Sequence, residues 1–130
     1  MSVCALWQST RRLAAVIVDD DGALRRPITV PATPGNAHHL LSYLATAGVA
    51  TVILAEGSHR LIAQAHALKL PVRLAPRDLL EAVRIATGLD HRPPRHTAIL
   101  LARWSLTPAL RLHLREYRAP ISPEKQLDLL

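Results

Sequence analysis

Three apolar segments separated by short polar turns occupy the first 30 residues. Segments 3–8 and 13–18 are rich in apolar and β-branched residues, and the second is typical of a strand buried on both faces. The turn over 19–22 ends in an Asp-Gly pair, which favours a hairpin. A third strand follows over 24–30, where Pro27 favours an edge position or an irregular start. The pattern predicts a three-stranded antiparallel meander.

After residue 30, apolar residues recur at helical spacing and alternate with short apolar runs. The predicted elements are a helix from the cap Asn36 to Gly48, a strand over 51–55, a helix after the cap Ser58, a strand over 72–74 and a helix over 76–87 that ends at Gly88. A meander followed by alternating helices and strands predicts an α/β fold, in which helices pack on the faces of a mixed sheet.

The last third of the chain is rich in arginine and proline. A basic loop over 89–95 precedes a predicted helix over 96–105, and a Thr-Pro pair at 107–108 indicates another helix that runs to about residue 118. Residues 119–130 contain two prolines, which indicates an extended tail. We therefore expect one domain over 1–118 with C-terminal helices.

Composition excludes several classes of protein. Apolar residues make up 49% of the 130 residues, which is enough for a hydrophobic core. No apolar run approaches the roughly 18 residues of a membrane helix, and the N-terminus lacks a signal-peptide pattern. The single cysteine, Cys4, excludes an internal disulfide and a multi-cysteine zinc site. We expect a cytoplasmic protein in which Cys4 is a buried structural thiol.

The net charge of +6 comes from 14 arginines and two lysines against ten acidic residues, and it is unevenly distributed. Residues 1–56 are balanced, whereas residues 57–118 contain eleven basic and four acidic residues. A GC-rich genome is an equally good explanation of arginine richness, but its concentration after residue 57 predicts one basic surface, which would attract phosphate backbones. Aromatic residues are only 3% of the chain, which argues against a base-stacking platform.

Four segments carry a resemblance to a known fold family. They are 13–22, 31–35, 52–58 and 97–103, and the order of the predicted elements agrees with that family over roughly residues 3–105. In these features the chain resembles the ribonuclease H-like fold, and more narrowly the N-terminal domain of RuvC-like, DEDD-class insertion-sequence transposases. The resemblance implies a ribonuclease H-like mixed sheet and a DNA-related function in a mobile element.

The resemblance also implies several carboxylates around one or two Mg²⁺ ions, which activate water and stabilise the leaving oxygen. Glu56 follows the fourth predicted strand, where one carboxylate is expected, and it is the candidate catalytic residue. Leu6, Pro94 and Thr97 stand at the other expected places. Since one carboxylate cannot hold two metal ions, we expect a degenerate site that uses no cofactor, or Mg²⁺ only if nuclease activity survives.

Other polar residues have both a structural and a functional interpretation. The three aspartates at 19–21 resemble a metal cluster, but a hairpin turn favours aspartate for structural reasons. Glu56 is also well placed to stabilise the N-terminus of the helix that follows it. His91 and His96 flank a Pro-Pro loop beside two arginines, which suggests phosphate binding; ordinary surface histidines are the alternative.

Arg111, Arg115 and Arg118 are spaced to share one face of the predicted last helix. Together with three preceding arginines they would form a phosphate-binding strip, and the alternative is an ordinary solvated face. The candidate nucleic-acid-binding residues are Arg92, Arg95, Arg103, Arg111, Arg115 and Arg118.

Three hypotheses on function follow. The first is a non-catalytic ribonuclease H-like domain that binds DNA or RNA through its basic half. The second is a protein interaction domain or homodimer without nucleic-acid binding, whose contacts would come from Trp7, Trp104, Leu127, Leu129 and Leu130. The third and weaker hypothesis is a Mg²⁺-dependent nuclease that uses Glu56 with the aspartates at 19–21.

Overall fold

Six strands and five α-helices make up the structure, a computed structural model that describes residues 2–118. The strands are β1 (Val3–Gln8), β2 (Arg12–Val18), β3 (Ile28–Pro31), β4 (Thr51–Ala55), β5 (Val72–Ala75) and β6 (Arg115–Glu116). The helices are α1 (Pro34–Thr46), α2 (His59–Ala67), α3 (Arg77–Thr87), α4 (Pro94–Leu106) and α5 (Pro108–Arg111), with a 3₁₀ turn at Leu89–His91.

The strands form a single mixed sheet in the order β3-β2-β1-β4-β5-β6. Neighbouring strands in the β1–β3 meander are antiparallel, while β4 runs parallel to both β1 and β5. The short strand β6 pairs antiparallel with β5 and closes the far edge. The predicted meander and the predicted mixed α/β fold are therefore confirmed.

Helices cover both faces of the sheet, and each face has its own hydrophobic cluster. One cluster joins α1 and α2 to sheet residues that include Leu6 and Leu54; we call this side the α1–α2 face. The other joins α3 and α4, which carries Trp104, to Ala5 and Trp7 of β1; we call this side the α3–α4 face. Because successive side chains of a strand point to opposite faces, adjacent residues of β1 belong to different layers.

Three boundaries differ from the predictions for local reasons. The predicted loop 89–95 contains a 3₁₀ turn at Leu89–His91, and α4 begins at Pro94 instead of His96, because proline suits the first turn of a helix. Thr33, not Asn36, caps α1: its hydroxyl accepts a hydrogen bond of 3.1 Å from the backbone N–H of Asn36, and a proline occupies the first turn. The third strand covers only Ile28–Pro31, because Pro27 interrupts the ladder and Leu24 makes one isolated bridge to Val18.

The predicted long helix after Pro108 is wrong. Helix α5 ends at Arg111, and the chain then turns and enters β6. Tertiary contacts override the helical pattern here: Leu114 is buried, and the backbone N–H of Tyr117 donates to the carbonyl of Val72 at 2.8 Å. The arginines at 111, 115 and 118 therefore do not share a helix face.

No helix within residues 2–118 is long and apolar enough to cross a membrane. The predicted extended tail over 119–130 lies outside the described residues, as do Leu127, Leu129 and Leu130.

Candidate nucleic-acid interface

The two ends of the sheet carry different charges. Strands β1 and β4 run parallel, so their carboxyl ends, at Gln8 and Ala55, lie at the same end, which we call the carboxyl end. Val18 pairs with Val3 at the other end, the amino end, and the acidic turn 19–21 follows it. The length of β4, roughly 16 Å for five residues, therefore separates this turn from Glu56. Glu56 and the three aspartates cannot share one metal ion.

The acidic turn has a structural explanation, as predicted. The carboxylate of Asp21 accepts a hydrogen bond of 3.1 Å from the backbone N–H of Ala23, and Asp19 forms an ion pair with Arg25 at 2.7 Å. Gly22 supplies the positive φ of +85° that completes the turn.

Glu56 is held by basic side chains at the carboxyl end. Its carboxylate forms an ion pair with Arg115 of β6, and its backbone carbonyl accepts a hydrogen bond of 2.8 Å from Nε of Arg77. Gly57, at φ +93°, turns the chain beneath the Arg77 side chain. The one carboxylate that the resemblance assigns to catalysis therefore lies beside two guanidinium groups.

Leu6, which the resemblance assigns to the expected site, and the start of α4 lie on opposite faces of the sheet. Leu6 packs into the α1–α2 face, whereas α4, which carries Pro94 and Thr97, covers the opposite face. A β1 side chain that shared a site with the start of α4 would stand at Ala5 or Trp7 instead of Leu6.

An aromatic ring and an ion pair fill that place. Trp7 is 8% exposed, and the Arg84 guanidinium lies 4.7 Å from the centroid of its ring, within the range of a cation–π contact. The same Arg84 donates to both carboxylate oxygens of Glu81 at 3.1 Å. We call these three residues the Trp7 cluster.

The residues at this end do not fit a pair of Mg²⁺ ions. Glu56 pairs with Arg115, Glu81 pairs with Arg84, and Thr97 is a buried neutral side chain. In the described part of the chain, no group of three or more His, Cys, Asp or Glu side chains is placed to hold a metal ion. A hard cation of this kind prefers several oxygen ligands around it.

Two pockets toward the carboxyl end are lined by basic side chains. The first, of about 280 Å³, lies where β1 ends and α2 begins; its lining residues are Gln8, Ser9, Ser58, His59, Arg60, Leu61 and Arg77. Ser58 stands at the cap position predicted for it, but its hydroxyl makes no capping hydrogen bond. This pocket occupies the crevice outside the carboxyl ends of parallel strands, where α/β proteins commonly bind ligands.

The second pocket, of about 480 Å³, lies between β3 and α4, and we call it the β3–α4 pocket. Its lining residues are Arg26, Pro27, Thr29, Arg95, His96 and Ile99. Thr29 pairs with Ala14, which pairs with Trp7 near the end of β1, whereas Arg26 follows Arg25, whose backbone N–H donates to the carbonyl of Ile17 in the amino half of the sheet. The pocket therefore extends along the β3 edge from the middle of the sheet toward the carboxyl end. Neither pocket has a carboxylate among its lining residues within 2–118.

The six predicted nucleic-acid-binding arginines are distributed over several surfaces. Arg92, Arg95 and Arg103 are exposed around α4, and none of them has an ion-pair partner among residues 2–118. Arg111 instead lines a pocket of about 430 Å³ with the acidic turn at the amino end. Arg118 is exposed at the last described position.

Arg115 lies on the other side of the sheet from α4. It pairs with Leu74, which packs against the α1–α2 face, and directly opposed residues share a face. The predicted strip that joins Arg115 to Arg92, Arg95 and Arg103 is therefore divided by the sheet.

Sequence reasoning missed Arg26, Arg60 and Arg77. Arg26 lies in the half of the chain that has no net charge, and only the packing of β3 beside α4 brings it to Arg95. Arg60 and Arg77 belong to different helices, and the parallel arrangement of β4 and β5 brings them together.

Of the five apolar residues assigned to partner binding, the two tryptophans are buried, and the three leucines lie outside the described residues. Trp104 is fully buried, its indole N–H donates to the carbonyl of Leu110, and Trp7 is covered by Arg84. Neither tryptophan can supply a contact surface, which corrects that part of the interaction hypothesis. Cys4 is buried as predicted, and burial raises the pKa of its thiol to about 12.

No protein-family model matches the chain, and no curated protein matches it.

Proposed function

We propose that this chain is a non-catalytic ribonuclease H-like domain that binds nucleic acid through basic side chains at the carboxyl end of its sheet. The observation that carries the proposal is a pair of pockets toward that end, whose lining residues within 2–118 include arginine and histidine and no carboxylate. Such a surface attracts a phosphate backbone through the release of its counterions.

The topology supports the ribonuclease H-like part of the proposal. An antiparallel meander is followed by α1, β4, α2, β5 and α3, and the strands β1, β4 and β5 run parallel. This is the order of elements on which the resemblance in the sequence rests. The degenerate transposase domain of a mobile element remains the proposed family origin.

The pairing of the carboxylates supports the non-catalytic part. Phosphodiester cleavage with metal ions needs several carboxylates that are available as ligands, whereas Glu81 pairs with Arg84 over Trp7 and Glu56 pairs with Arg115. Thr97 at the start of α4 is 1% exposed, so it cannot contact a substrate phosphate.

The proposed contacts are electrostatic and largely independent of base sequence. Arg60, Arg77 and Arg95 present guanidinium groups, which bind phosphate oxygens in a bidentate manner. Both tryptophans are buried, so they offer no ring on which bases could stack. We therefore expect binding to both DNA and RNA, with little preference among sequences.

Fluorescence anisotropy with labelled 20-nucleotide single strands and duplexes over a range of salt concentrations tests the proposal. Affinity should fall steeply with salt, because each phosphate contact adds about 0.9 to the slope of log K against log salt for a duplex and about 0.7 for a single strand. The double variant Arg60→Gln, Arg95→Gln should bind more weakly. Its slope of log K against log salt should be smaller by the amount expected for the loss of up to two phosphate contacts.

The double variant Arg25→Gln, Arg111→Gln is the matched control. It removes the same two positive charges, but from residues beside the acidic turn at the amino end. Binding that is absent at low salt in the full-length protein would refute the proposal. An equal loss in the control and in the double variant would refute the assigned surface.

A further inference from the structure

The β3–α4 pocket brings together basic groups from two distant segments of the chain. Arg26 and Thr29 come from the meander, while Arg95 and His96 come from the first turn of α4. Thr29 shares a sheet face with Ala14, which belongs to the α3–α4 face, so it faces the helix. Two independent elements therefore form the walls of this pocket.

These groups have no internal counter-charge in the described structure. No ion pair within residues 2–118 involves Arg26, Arg95 or His96, whereas Arg25, Arg77, Arg84 and Arg115 each lie near a carboxylate. Unpaired cations that converge on a cavity repel one another, and an anion in the cavity removes that repulsion.

The donors that line this pocket outnumber the free oxygens of an internal phosphodiester. They are two guanidinium forks, the imidazole N–H and the Thr29 hydroxyl. An internal phosphodiester has one negative charge and two free oxygens, whereas a phosphate monoester has a charge near −2 and three free oxygens. The monoester matches both the charge and the donors better.

We infer that the β3–α4 pocket binds a phosphate monoester, namely the terminal phosphate of a nucleic-acid strand. This inference rests on the proposed function for its ligand, because the remaining strand would lie along the basic carboxyl end. Arg26 and Arg95 bind the phosphate from opposite walls, and His96 and Thr29 donate the remaining hydrogen bonds.

The test compares three versions of one labelled 12-nucleotide strand, with a phosphate at the 5′ end, at the 3′ end or at neither, by competition in fluorescence anisotropy. One terminal phosphate should tighten binding at least about 10-fold, the size expected for a few charge-assisted hydrogen bonds. Arg26→Gln and Arg95→Gln should each remove most of this preference, and Arg25→Gln should retain it.

Arg26→Lys separates charge from geometry. It keeps the positive charge but loses the planar fork, so overall affinity should change little while the preference for a terminal phosphate decreases. Arg26 is exposed, and thermal unfolding of each variant verifies that the fold is intact.

Each outcome decides between the two proposals. Equal binding of the three strands overturns the inference and leaves the proposed function in place. If no strand binds, the proposed function fails, and NMR titration with inorganic phosphate then tests the pocket alone. The inference is supported if phosphate shifts the His96 imidazole signals and if these shifts are lost in Arg26→Gln and Arg95→Gln. It is overturned if phosphate causes no such shifts.

Discussion

Arg84 joins a core aromatic ring to a carboxylate on its own helix. Its guanidinium covers Trp7, Nη1 donates to both oxygens of Glu81, and only 15% of its side chain is exposed. Its Nε is buried without a hydrogen-bond partner, so this N–H pays a desolvation cost that the ring and the ion pair must offset.

Arg84→Met should therefore destabilise the protein by about 1 kcal/mol, since methionine retains apolar cover over the ring but loses the cation–π contact and the ion pair. Guanidinium denaturation followed by tryptophan fluorescence measures this change. Glu81→Gln is the comparison, because it removes the ion pair and leaves the cation over Trp7. An unchanged midpoint for both variants would contradict a stabilising role for the cluster.

The environment of a residue can be predicted from the sequence when its contacts come from neighbouring positions in the chain. Cys4 stands within an apolar strand, and its burial follows from that strand alone. Trp7 stands in the same strand, but its cover comes from Arg84 on α3, and no local pattern indicates this contact. The face of the sheet to which Leu6 points likewise depends on the packing of α4, which the sequence of β1 does not indicate.

The link between β4 and α2 depends on one glycine. Gly57 has φ +93°, and a Cβ at that position would lie 3.1 Å from Nε of Arg77. The Arg77 side chain donates to the carbonyl of Glu56 and also lines the pocket at the start of α2. A change in the turn at Gly57 would therefore alter that pocket.

Gly57→Ala should destabilise the protein by roughly 1–2 kcal/mol, because an L-residue is strained at this φ, and it should weaken nucleic-acid binding by displacing Arg77. Gly35→Ala is the control, since a Cβ there meets nothing within 4 Å and alanine is the better helix former. Thermal unfolding and anisotropy measure the two effects. Equal stability of the two variants would contradict the strain.

Helices and strands with a regular spacing of apolar residues could be predicted from the sequence, whereas the structure of the segment after α4 could not. Leucines and arginines at helical spacing predict a long helix after Pro108, yet α5 ends at Arg111. The residues that stop it are fixed by distant partners: Leu114 in the core and Tyr117 on the carbonyl of Val72. A two-residue strand such as β6 depends on its neighbour β5 more than on its own sequence.

Within residues 2–118, charged side chains are grouped by their place along the strands of the sheet, and their order in the sequence does not predict this grouping. The sequence separates a balanced half from a basic half at residue 57. The fold brings Arg26 from the first half to Arg95 of the second, and it places Arg111 beside the acidic turn. Only the topology determines this arrangement.

Glu56→Gln tests whether the charge at the carboxyl end of the sheet controls nucleic-acid binding. It releases Arg115 and removes one negative charge from the carboxyl end, so binding should strengthen and the salt slope should increase by about one contact, 0.7 to 0.9. The pair is exposed, with side-chain exposures of 66% and 41%, so stability should change little.

Glu116→Gln is the charge-matched control for that change, because it removes the same charge from the opposite face of β6. Its effect on binding should be smaller. Mg²⁺-dependent cleavage of nucleic acid that disappears in Glu56→Gln would instead show that Glu56 is catalytic, and it would overturn the non-catalytic proposal.

Arg73 and Arg111 line the pocket beside the acidic turn, whereas the linings of the two basic pockets hold no carboxylate within residues 2–118, so the positive charge of the described residues is displaced toward the carboxyl end. A polyanion in solution therefore exerts a torque on the approaching protein and turns its carboxyl end forward before contact. This pre-orientation raises the rate of productive encounters most at low ionic strength, because the Debye length, about 10 Å at 0.1 M salt, limits the distance over which the field acts.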